Sequence, residues 1–392
     1  MREKDICKIK IDSVAFGGAG IGRVNNIVVF VPFSAPGDEL EVEILHLKKK
    51  FARGKISRII RQSPVRVKPP CDYYEKCGGC CYQHLDYDCQ LKLKKKQVED
   101  AFWKIGKIED AHVLDTIASP EIYHYRGKAQ FHAGALGDGW EIGFQDVSGG
   151  QLVDIDTCRI MHESINKKMS ALRDHDRSKW TKRAKRTLNI WSDHDSGQIG
   201  DQESIVRTVK GKDFLVPRDG FFQANLFLTG RLVDEVNRLV ASEKVNTLID
   251  AYCGSGLFSV FMSPYVKQIT GIEINEKSVK YARMNAEKAG IKNAVFLNGD
   301  VDKILQERFV MSGEKADMVV LDPPRAGCAK PVLDSIVNIQ PRSIIYISCN
   351  PATQARDVQY LKNFGYNLKS LLPVDMFPQT EHIEVVGHLE WK

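Results

Sequence analysis

The stretch TLIDAYCGSGLF, residues 247–258, predicts a buried strand (Thr247–Ala251), a glycine-containing loop and the start of a helix. Downstream, the apolar runs predict further strands at residues 268–274, 294–297, 317–321 and 343–348, and a helix at residues 276–289. Strands and helices that alternate in this way are typical of a parallel, doubly wound sheet. We therefore predict that residues 216–392 form an α/β domain.

The loop after the first strand predicts a nucleotide-like cofactor. Gly254 and Gly256 let the backbone approach a ligand closely, and Glu273 ends the second predicted strand, where a carboxylate accepts hydrogen bonds from ribose hydroxyls. NAD and S-adenosylmethionine both present such a ribose, and the Asp-x-x-Cys-Gly-x-Gly form favours S-adenosylmethionine. Asp300, which follows the third strand, is predicted to contact the same cofactor.

The sequence VVLDPPR, residues 319–325, narrows the chemistry. Adenine N6-methyltransferases follow such a proline pair with an aromatic residue that stacks the base, and Arg325 stands there instead. Cytosine-C5 methyltransferases of RNA place a cysteine directly after a single proline, and Cys328 lies too far along. Uracil-C5 methylation remains.

Cys349 and Glu384 are the predicted catalytic residues. Cys349 follows a buried strand and precedes Asn-Pro, and reacting groups in parallel sheets collect beyond the carboxyl ends of strands. A thiolate that adds to C6 of uracil activates C5, and a base must then remove the C5 proton. Glu384 lies on a predicted last strand, residues 381–391. Taken alone, Cys349 also fits a small buried apolar residue, and Glu384 an exposed strand carboxylate.

A second group of cysteines predicts a metal centre. Cys71, Cys77 and Cys80 are clustered, and Cys158 stands apart. Three close ligands and one remote ligand fit a 4Fe–4S cluster better than zinc, which usually takes two short Cys-x-x-Cys pairs. Gly78 and Gly79 are predicted to let backbone amides approach inorganic sulfur. By proximity alone, Cys81 and Cys89 compete for the ligand role.

Residues 1–63 predict a small basic β-barrel of short strands separated by turns. Residues 1–70 hold 14 Lys and Arg against 7 Asp and Glu, whereas the whole chain has a net charge of only +6. A basic module suggests a polyanion partner, although a solvated charged surface gives the same composition. Lys48, Lys49, Lys50 and Arg53 are predicted on one loop between strands, a plausible nucleic-acid contact.

Residues 64–215 predict a central α+β domain with a helix at about residues 88–112 that packs toward the catalytic domain. A basic run around Trp180, residues 173–186, fits either RNA or a solvated face. The 392 residues include no apolar stretch of membrane-spanning length and no apolar signal core. We expect a cytoplasmic monomer with no membrane association and no obligate protein partner.

Together these motifs resemble the RNA uracil-C5 methyltransferase family, specifically its iron–sulfur branch that acts on 23S ribosomal RNA. The resemblance rests on SCNPAT (residues 348–353), on MFPQTEHIE (residues 376–384), on the cysteine spacing and on FFQAN (residues 221–225). It implies a Rossmann-like S-adenosylmethionine methyltransferase domain, an N-terminal TRAM-like RNA-binding barrel and a central iron–sulfur domain.

The resemblance also implies roles for single residues. Cys349 is the nucleophile and Glu384 the general base. Gln223, Tyr252, Glu273 and Asp322 match the cofactor contacts, and Cys71, Cys77, Cys80 and Cys158 match the 4Fe–4S ligands in spacing.

Two departures leave the RNA target open. Leu257 stands where relatives often have asparagine, and the chain is shorter than several relatives. Family members that lack barrel and cluster methylate the T-loop of transfer RNA, and some members with both also act on transfer RNA. The alternatives are therefore transfer-RNA methylation and, in another class, an inactive RNA-binding or ribosome-assembly factor.

Overall fold

The computed structural model describes residues 1–136, 139–174, 186–192 and 203–392. Most of the basic run around Trp180, residues 175–185, lies outside these described residues. The chain divides into two compact units. The first unit comprises residues 1–97, 121–190 and 377–382, and the second comprises residues 98–120, 191–376 and 383–392.

The first unit begins with the predicted barrel. Its strands are β1 (Ile6–Val14), β2 (Ala19–Val24), β3 (Ile27–Pro32), β4 (Glu39–Leu47) and β5 (Phe51–Arg61). They close in the order β1-β2-β3-β5-β4. Side chains alternate along β4, so that Leu40, Val42 and Ile44 point into the barrel and form its core. Closure leaves the barrel without an unpaired edge.

The rest of the first unit contains the clustered cysteines, a four-stranded sheet and, among the described residues, two helices. A four-stranded sheet has the order β8-β7-β6-β9. Its strands are β6 (Lys128–Leu136), β7 (Gly139–Gln145), β8 (Leu152–Asp154) and β9 (Arg186–Trp191). Helix α2 (Glu163–Asp174) follows β8, and helix α1 (Tyr87–Lys104) continues past Gln97 into the second unit.

The second unit has an α/β fold, built on a seven-stranded sheet of order β14-β13-β12-β15-β16-β18-β17. Its strands are β12 (Thr247–Ala251), β13 (Gln268–Glu273), β14 (Ala294–Asn298), β15 (Met318–Leu321), β16 (Ser343–Ser348), β17 (Tyr366–Val374) and β18 (Glu384–Trp391). β12 to β16 pair in parallel, whereas β18 is antiparallel to both of its neighbours. The parallel core is therefore extended by an antiparallel pair.

Helices cover this sheet and a short hairpin precedes it. The helices are α3 (Thr229–Ser242), α4 (Leu257–Met262), α5 (Glu276–Lys288), α6 (Val301–Ile304), α7 (Lys330–Ile339) and α8 (Pro351–Lys362). A 3₁₀ turn spans Ser263–Tyr265, a π-helical segment spans Leu305–Met311, and the hairpin consists of β10 (Ser204–Val209) and β11 (Lys212–Pro217).

The central strand β16 shows why this sheet forms. All six of its residues are buried, and Ile344 and Tyr346 pack in the main core of the unit. Fully buried parallel strands have continuous apolar runs of this kind. The predicted bounds of β12 and β16 are confirmed residue for residue.

Several local predictions differ from the structure. β2 includes Gly20 and Gly22, and a Cβ at Gly22 would clash with Ile9 and Lys10 of β1. Arg53, predicted on a loop with Lys48, lies within β5. The last strand starts at Glu384, since residues 381–383 are not part of the ladder. Among the described residues, no helix combines the length and apolar character that crossing a membrane requires.

Candidate active site and cysteine cavity

Strand register brings the two predicted catalytic residues to one edge of the sheet. Ser348 of β16 pairs with Val385 of β18. Because these strands are antiparallel, Cys349 follows the end of β16 where Glu384 begins β18. Asp322 follows β15 at the same edge, since Leu321 pairs with Tyr346.

Cys349 stands on a tight strand-to-helix turn. The backbone N–H of Asn350 donates to Oγ of Ser348 at 3.1 Å, and Oδ1 of Asn350 accepts from the N–H of Ala352 at 3.0 Å. Asn350 is thus the N-cap of α8, and Pro351 follows it in the first turn, where its missing N–H costs nothing. The half-buried thiol is held at the start of a rigid helix.

The charges around Cys349 act in opposite directions. Burial, and then the carboxylate of Glu384, raise the pKa of Cys349 to about 11. The guanidinium of Arg325 lowers the pKa of the same thiol, and Asp322 raises it. Among these groups, Arg325 is the one that favours the thiolate, which is the nucleophilic form.

Glu384 has the properties of a strong base. Its side chain is buried, and burial raises its pKa well above the usual range, with Asp322 adding to the increase. Arg325 again opposes the shift. A carboxylate with a raised pKa is a better proton acceptor near neutral pH than an ordinary glutamate.

In the sequence alone, Arg325 only argues against adenine methylation. The charge of its guanidinium lowers the pKa of both Cys349 and Glu384. The sequence contains one signal for this role, namely a cation directly after the strand-end motif Asp-Pro-Pro.

The loop predicted to bind the cofactor lies beside the carboxylate of Glu273. The N–H of Gly254 donates to Oε2 of Glu273 at 3.1 Å, and the N–H of Asn275 donates to Oε1 at 2.8 Å. A Cβ at Gly254 would meet nothing within 4 Å, whereas one at Gly256 would lie 3.2 Å from Ala282. Gly256 therefore packs the loop on α5, and Gly254 faces open space beside Glu273. Tyr252 is held at φ 65°, a left-handed conformation.

Acidic side chains accumulate at this end of the sheet. Burial raises the pKa of Asp250 to about 7, and Ser259 donates a hydrogen bond to its Oδ2. Burial raises the pKa of Asp322 to about 7 as well, with Asp250 and Glu273 adding to the shift. Oδ1 of Asp250 is buried and has no hydrogen-bond partner among the described residues. Such a set of carboxylates favours a cationic ligand.

The remaining predicted cofactor residues are Asp300 and Gln223. Asp300 is exposed at the start of α6, and the N–H of Gly299 donates to the carbonyl of Glu273 at 3.0 Å, which keeps Asp300 at the same edge. Gln223 is buried in the segment of the chain that joins β11 to α3. No hydrogen bond of the described residues joins Gln223 to the loop at residues 252–256, so its role stays a prediction.

In the first unit, the four predicted cluster cysteines line one cavity of about 230 Å³. They are Cys71, Cys77, Cys80 and Cys158. The two competing cysteines lie elsewhere, because Cys81 and Cys89 pack with the apolar group around Tyr82. The structure therefore brings together the quartet that spacing alone left open.

Backbone contacts fix the positions of these cysteines. The N–H of Gly78 donates to the carbonyl of Gln145 at 2.9 Å, and a Cβ at Gly78 would lie 2.8 Å from the carbonyl of Asp146. Glycine is thus required at Gly78 for packing on β7 and the residue that follows it. Asn166 holds Cys158 by accepting from its N–H at 2.9 Å and donating to its carbonyl at 3.1 Å.

The thiols of the cavity raise one another's pKa. Burial raises the pKa of Cys158 to about 11, and Cys77 and Cys71 add to the increase. Burial also raises the pKa of Cys80 well above its usual value, with Cys158 contributing next. The donor set is therefore one that a metal centre would hold in its deprotonated form.

Comparisons with known proteins agree with this architecture. The family model described as tRNA (uracil-5-)-methyltransferase matches residues 201–392, and the TRAM domain model matches residues 5–57. An uncharacterized RNA methyltransferase of Halalkalibacterium halodurans is 32% identical over 100% of this chain and 98% of its own length. This chain belongs to the tRNA (uracil-5-)-methyltransferase family. It is an RNA methyltransferase that uses S-adenosylmethionine, and its N-terminal barrel is a TRAM domain.

Two further relatives extend the match along the chain. An uncharacterized RNA methyltransferase of Clostridium tetani is 31% identical over 98% of this chain and 96% of its own length. The crystal structure of Pyrococcus abyssi tRNA (uracil-54, C5)-methyltransferase in complex with S-adenosyl-L-homocysteine superposes with a TM-score of 0.75 at 26% identity. It covers 97% of this chain and 99% of its own. The fold is therefore shared from the barrel to the last strand.

Proposed function

We propose that this methyltransferase converts a uridine of folded RNA to 5-methyluridine through a transient covalent bond between Cys349 and C6 of the base. The observation that supports this most directly is the pairing of β16 with β18, which brings Cys349 and the buried side chain of Glu384 to one edge of the sheet. Arg325, which acts electrostatically on both, completes the arrangement.

Cys349 begins the reaction by adding its thiolate to C6, which breaks the C5–C6 double bond and leaves an electron pair at C5. When bound, S-adenosylmethionine would supply an electrophilic methyl group: C5 forms the new C–C bond, the S–CH₃ bond breaks, and S-adenosylhomocysteine is the leaving group. Glu384 then removes the C5 proton, the double bond re-forms, and the Cys349–C6 bond breaks. The target uridine must leave its stack to reach Cys349, at a cost of a few kcal/mol.

The acidic end of the sheet suits the cofactor. S-adenosylmethionine carries a positive sulfonium, and Asp250, Glu273 and Asp322 together favour a positive ligand. We assign the ribose to Glu273, beside the open space at Gly254. Tyr252, Asp300 and Gln223 are proposed as the further contacts.

For the RNA target, we propose 23S ribosomal RNA, as the resemblance of the barrel and the cysteine quartet implies. The second candidate is transfer RNA. It is supported by the Pyrococcus abyssi tRNA (uracil-54, C5)-methyltransferase, which matches 97% of this chain. Mapping 5-methyluridine in both RNAs from a deletion strain separates the two: loss from 23S ribosomal RNA supports the proposal, and loss from transfer RNA alone contradicts it.

Incubation with methyl-tritiated S-adenosylmethionine and total RNA tests the activity itself. The proposal predicts tritium in 5-methyluridine after digestion of the RNA. RNA binding without methyl transfer from an intact, cofactor-bound protein would favour the alternative of an RNA-binding or assembly factor. The presence of Cys349, Glu384 and Asp322 at one sheet edge argues against that alternative.

We further propose that the cavity of the first unit holds a 4Fe–4S cluster. The cavity has a volume of about 230 Å³, and Arg126 and Arg159 lie in its lining, where they offset thiolate charge. A zinc ion would draw its thiolates to about 2.3 Å from one centre. A 4Fe–4S cube is larger than a single ion, and three clustered ligands with one remote ligand fit it better. The cluster would shape the RNA-binding unit, since methyl transfer moves no net electrons.

A further inference from the structure

Side chains of α8 hold the segment that carries Arg325. The carbonyl of Arg325 accepts two hydrogen bonds, one from Nδ2 of Asn350 at 3.2 Å and one from Oγ1 of Thr353 at 3.2 Å. Oγ1 of Thr353 also lies 3.1 Å from the carbonyl of Asn350, within its own helix. The backbone at Arg325 is therefore attached to the first turn of α8, directly after the nucleophile.

The next residues of the segment are attached to the second turn of α8. Nη2 of Arg356 donates to the carbonyl of Ala326 at 3.0 Å, and Oδ2 of Asp357 accepts from the N–H of Cys328 at 2.8 Å. Asp357 is fully buried and also accepts from the hydroxyl of Tyr346 on β16 at 2.6 Å. One carboxylate thus joins the segment, the central strand and the helix.

Gly327 makes this attachment possible. A Cβ at that position would lie 2.5 Å from Oδ2 of Asp357 and 2.8 Å from Nη2 of Arg356. Its φ of 78° is in the left-handed region as well. The short distances from this Cβ show that the segment, residues 325–328, is packed directly on α8.

We propose that Thr353 is a positioning residue for the reaction: its hydroxyl, together with Asn350, fixes the backbone of Arg325 so that the guanidinium faces Cys349 and Glu384. This inference rests on the covalent function proposed above. Thr353 has no direct part in the chemistry in this account. Its effect passes through Arg325.

The charged groups that face Cys349 show why the position of Arg325 matters. Glu384 faces it from β18, while Asp322 and Arg325 face it from the end of β15. Two of these groups are acids that oppose thiolate formation, and Arg325 is the cation that favours it. Because Coulomb energy falls with distance, a displaced guanidinium weakens that support.

The experiment compares Thr353→Val, which keeps the shape but removes the hydroxyl, with Thr353→Ser, which keeps the hydroxyl. The full-length protein is alkylated over a range of pH without RNA, and the labelled peptide that contains Cys349 is quantified by mass spectrometry. We expect the thiolate fraction at fixed pH to fall about three- to tenfold in Thr353→Val, since a nearby opposite charge shifts a pKa by about one unit or more. Thr353→Ser restores the wild-type profile.

A double-mutant cycle with Arg325→Met tests whether the effect passes through the guanidinium. If it does, Thr353→Val produces no further change in the Arg325→Met background. An equal shift in both backgrounds, or no shift in Thr353→Val alone, overturns the proposal. Thr353→Ala replaces Thr353→Val if the latter fails to fold by circular dichroism.

This readout is independent of methylation. If the wild-type protein methylates no RNA, the proposed function fails, whereas the alkylation profiles still report whether Thr353 positions Arg325. If methylation occurs and the profiles are unchanged by Thr353→Val, the function stands and the positioning role is rejected.

Discussion

Cys158 and Cys349 have similar thiols in opposite surroundings. Burial raises the pKa of each to about 11. Cys158 faces other thiols, Cys77 and Cys71, which make deprotonation harder still. Cys349 faces Arg325, which makes it easier. The comparison shows that Cys349 has a cation that lowers its pKa, whereas the thiols of the four-cysteine cavity raise one another's pKa, an effect that a bound metal centre would reverse.

The largest expected effect is a loss of methylation that leaves the four-cysteine cavity intact. Cys349→Ala should reduce methylation to background, because the thiol that bonds C6 is removed, while iron content and RNA binding are retained. Tritium transfer and iron analysis on the same preparation measure this. Cys7→Ala, in the barrel strand β1, is the matched control and should remain active. Turnover by Cys349→Ala would remove the thiol from the mechanism.

The converse change is expected at the cavity. Cys77→Ser should lose the brown colour and most of the iron of protein purified without oxygen, because one of four ligands is removed. Cys89→Ser is the control, since Cys89 packs away from the cavity and its replacement should leave the colour unchanged. Colourless wild-type protein containing one zinc ion would reject the 4Fe–4S proposal.

Replacement of the base should slow turnover less than loss of the nucleophile. We expect Glu384→Gln to lower the rate by about 10²- to 10⁴-fold, the usual contribution of a general base, and to accumulate an RNA–protein adduct that survives denaturant. Denaturing gel electrophoresis with labelled RNA detects the adduct. Glu390→Gln, on the same strand, is the control. Unchanged turnover without adduct would assign proton removal to another residue.

The smallest expected effect concerns the cation that distinguishes the two sites. Arg325→Met should raise the pKa of Cys349, because a stabilising charge is removed, and should slow adduct formation about tenfold at neutral pH. The rate should recover partly as the pH rises toward the new pKa. Arg342→Met, before β16 at the opposite end of the strand, removes the same charge without this effect. A pKa that stays the same or falls contradicts the comparison.

Sequence reasoning succeeded where local patterns determine structure. The apolar run of β16 and the glycine loop after β12 give period and turn signals that need no distant partner. β17 was not predicted, and β18 starts at Glu384 because this is its first residue to pair, with Val374 of β17. Such tertiary pairing sets strand limits that no short window contains.

The same distinction applies to the sites. Motif spacing predicted Cys349, Glu384 and the four cavity cysteines. It did not predict that Arg325 acts on both catalytic residues, or that α8 holds the segment carrying it, since these depend on contacts between elements. The separation of Cys81 and Cys89 from the cavity likewise required the packing around Tyr82.

The covalent bond between Cys349 and C6 of the base is most directly tested with RNA that contains 5-fluorouridine. Fluorine at C5 cannot leave as a proton does, so the reaction should stop after methyl transfer with the base still attached to the protein. Mass spectrometry of the digested wild-type adduct should find the methylated nucleotide on the peptide that contains Cys349. A nucleotide attached to any other residue, or methyl transfer to natural RNA with no adduct from the fluorinated RNA, would contradict the account.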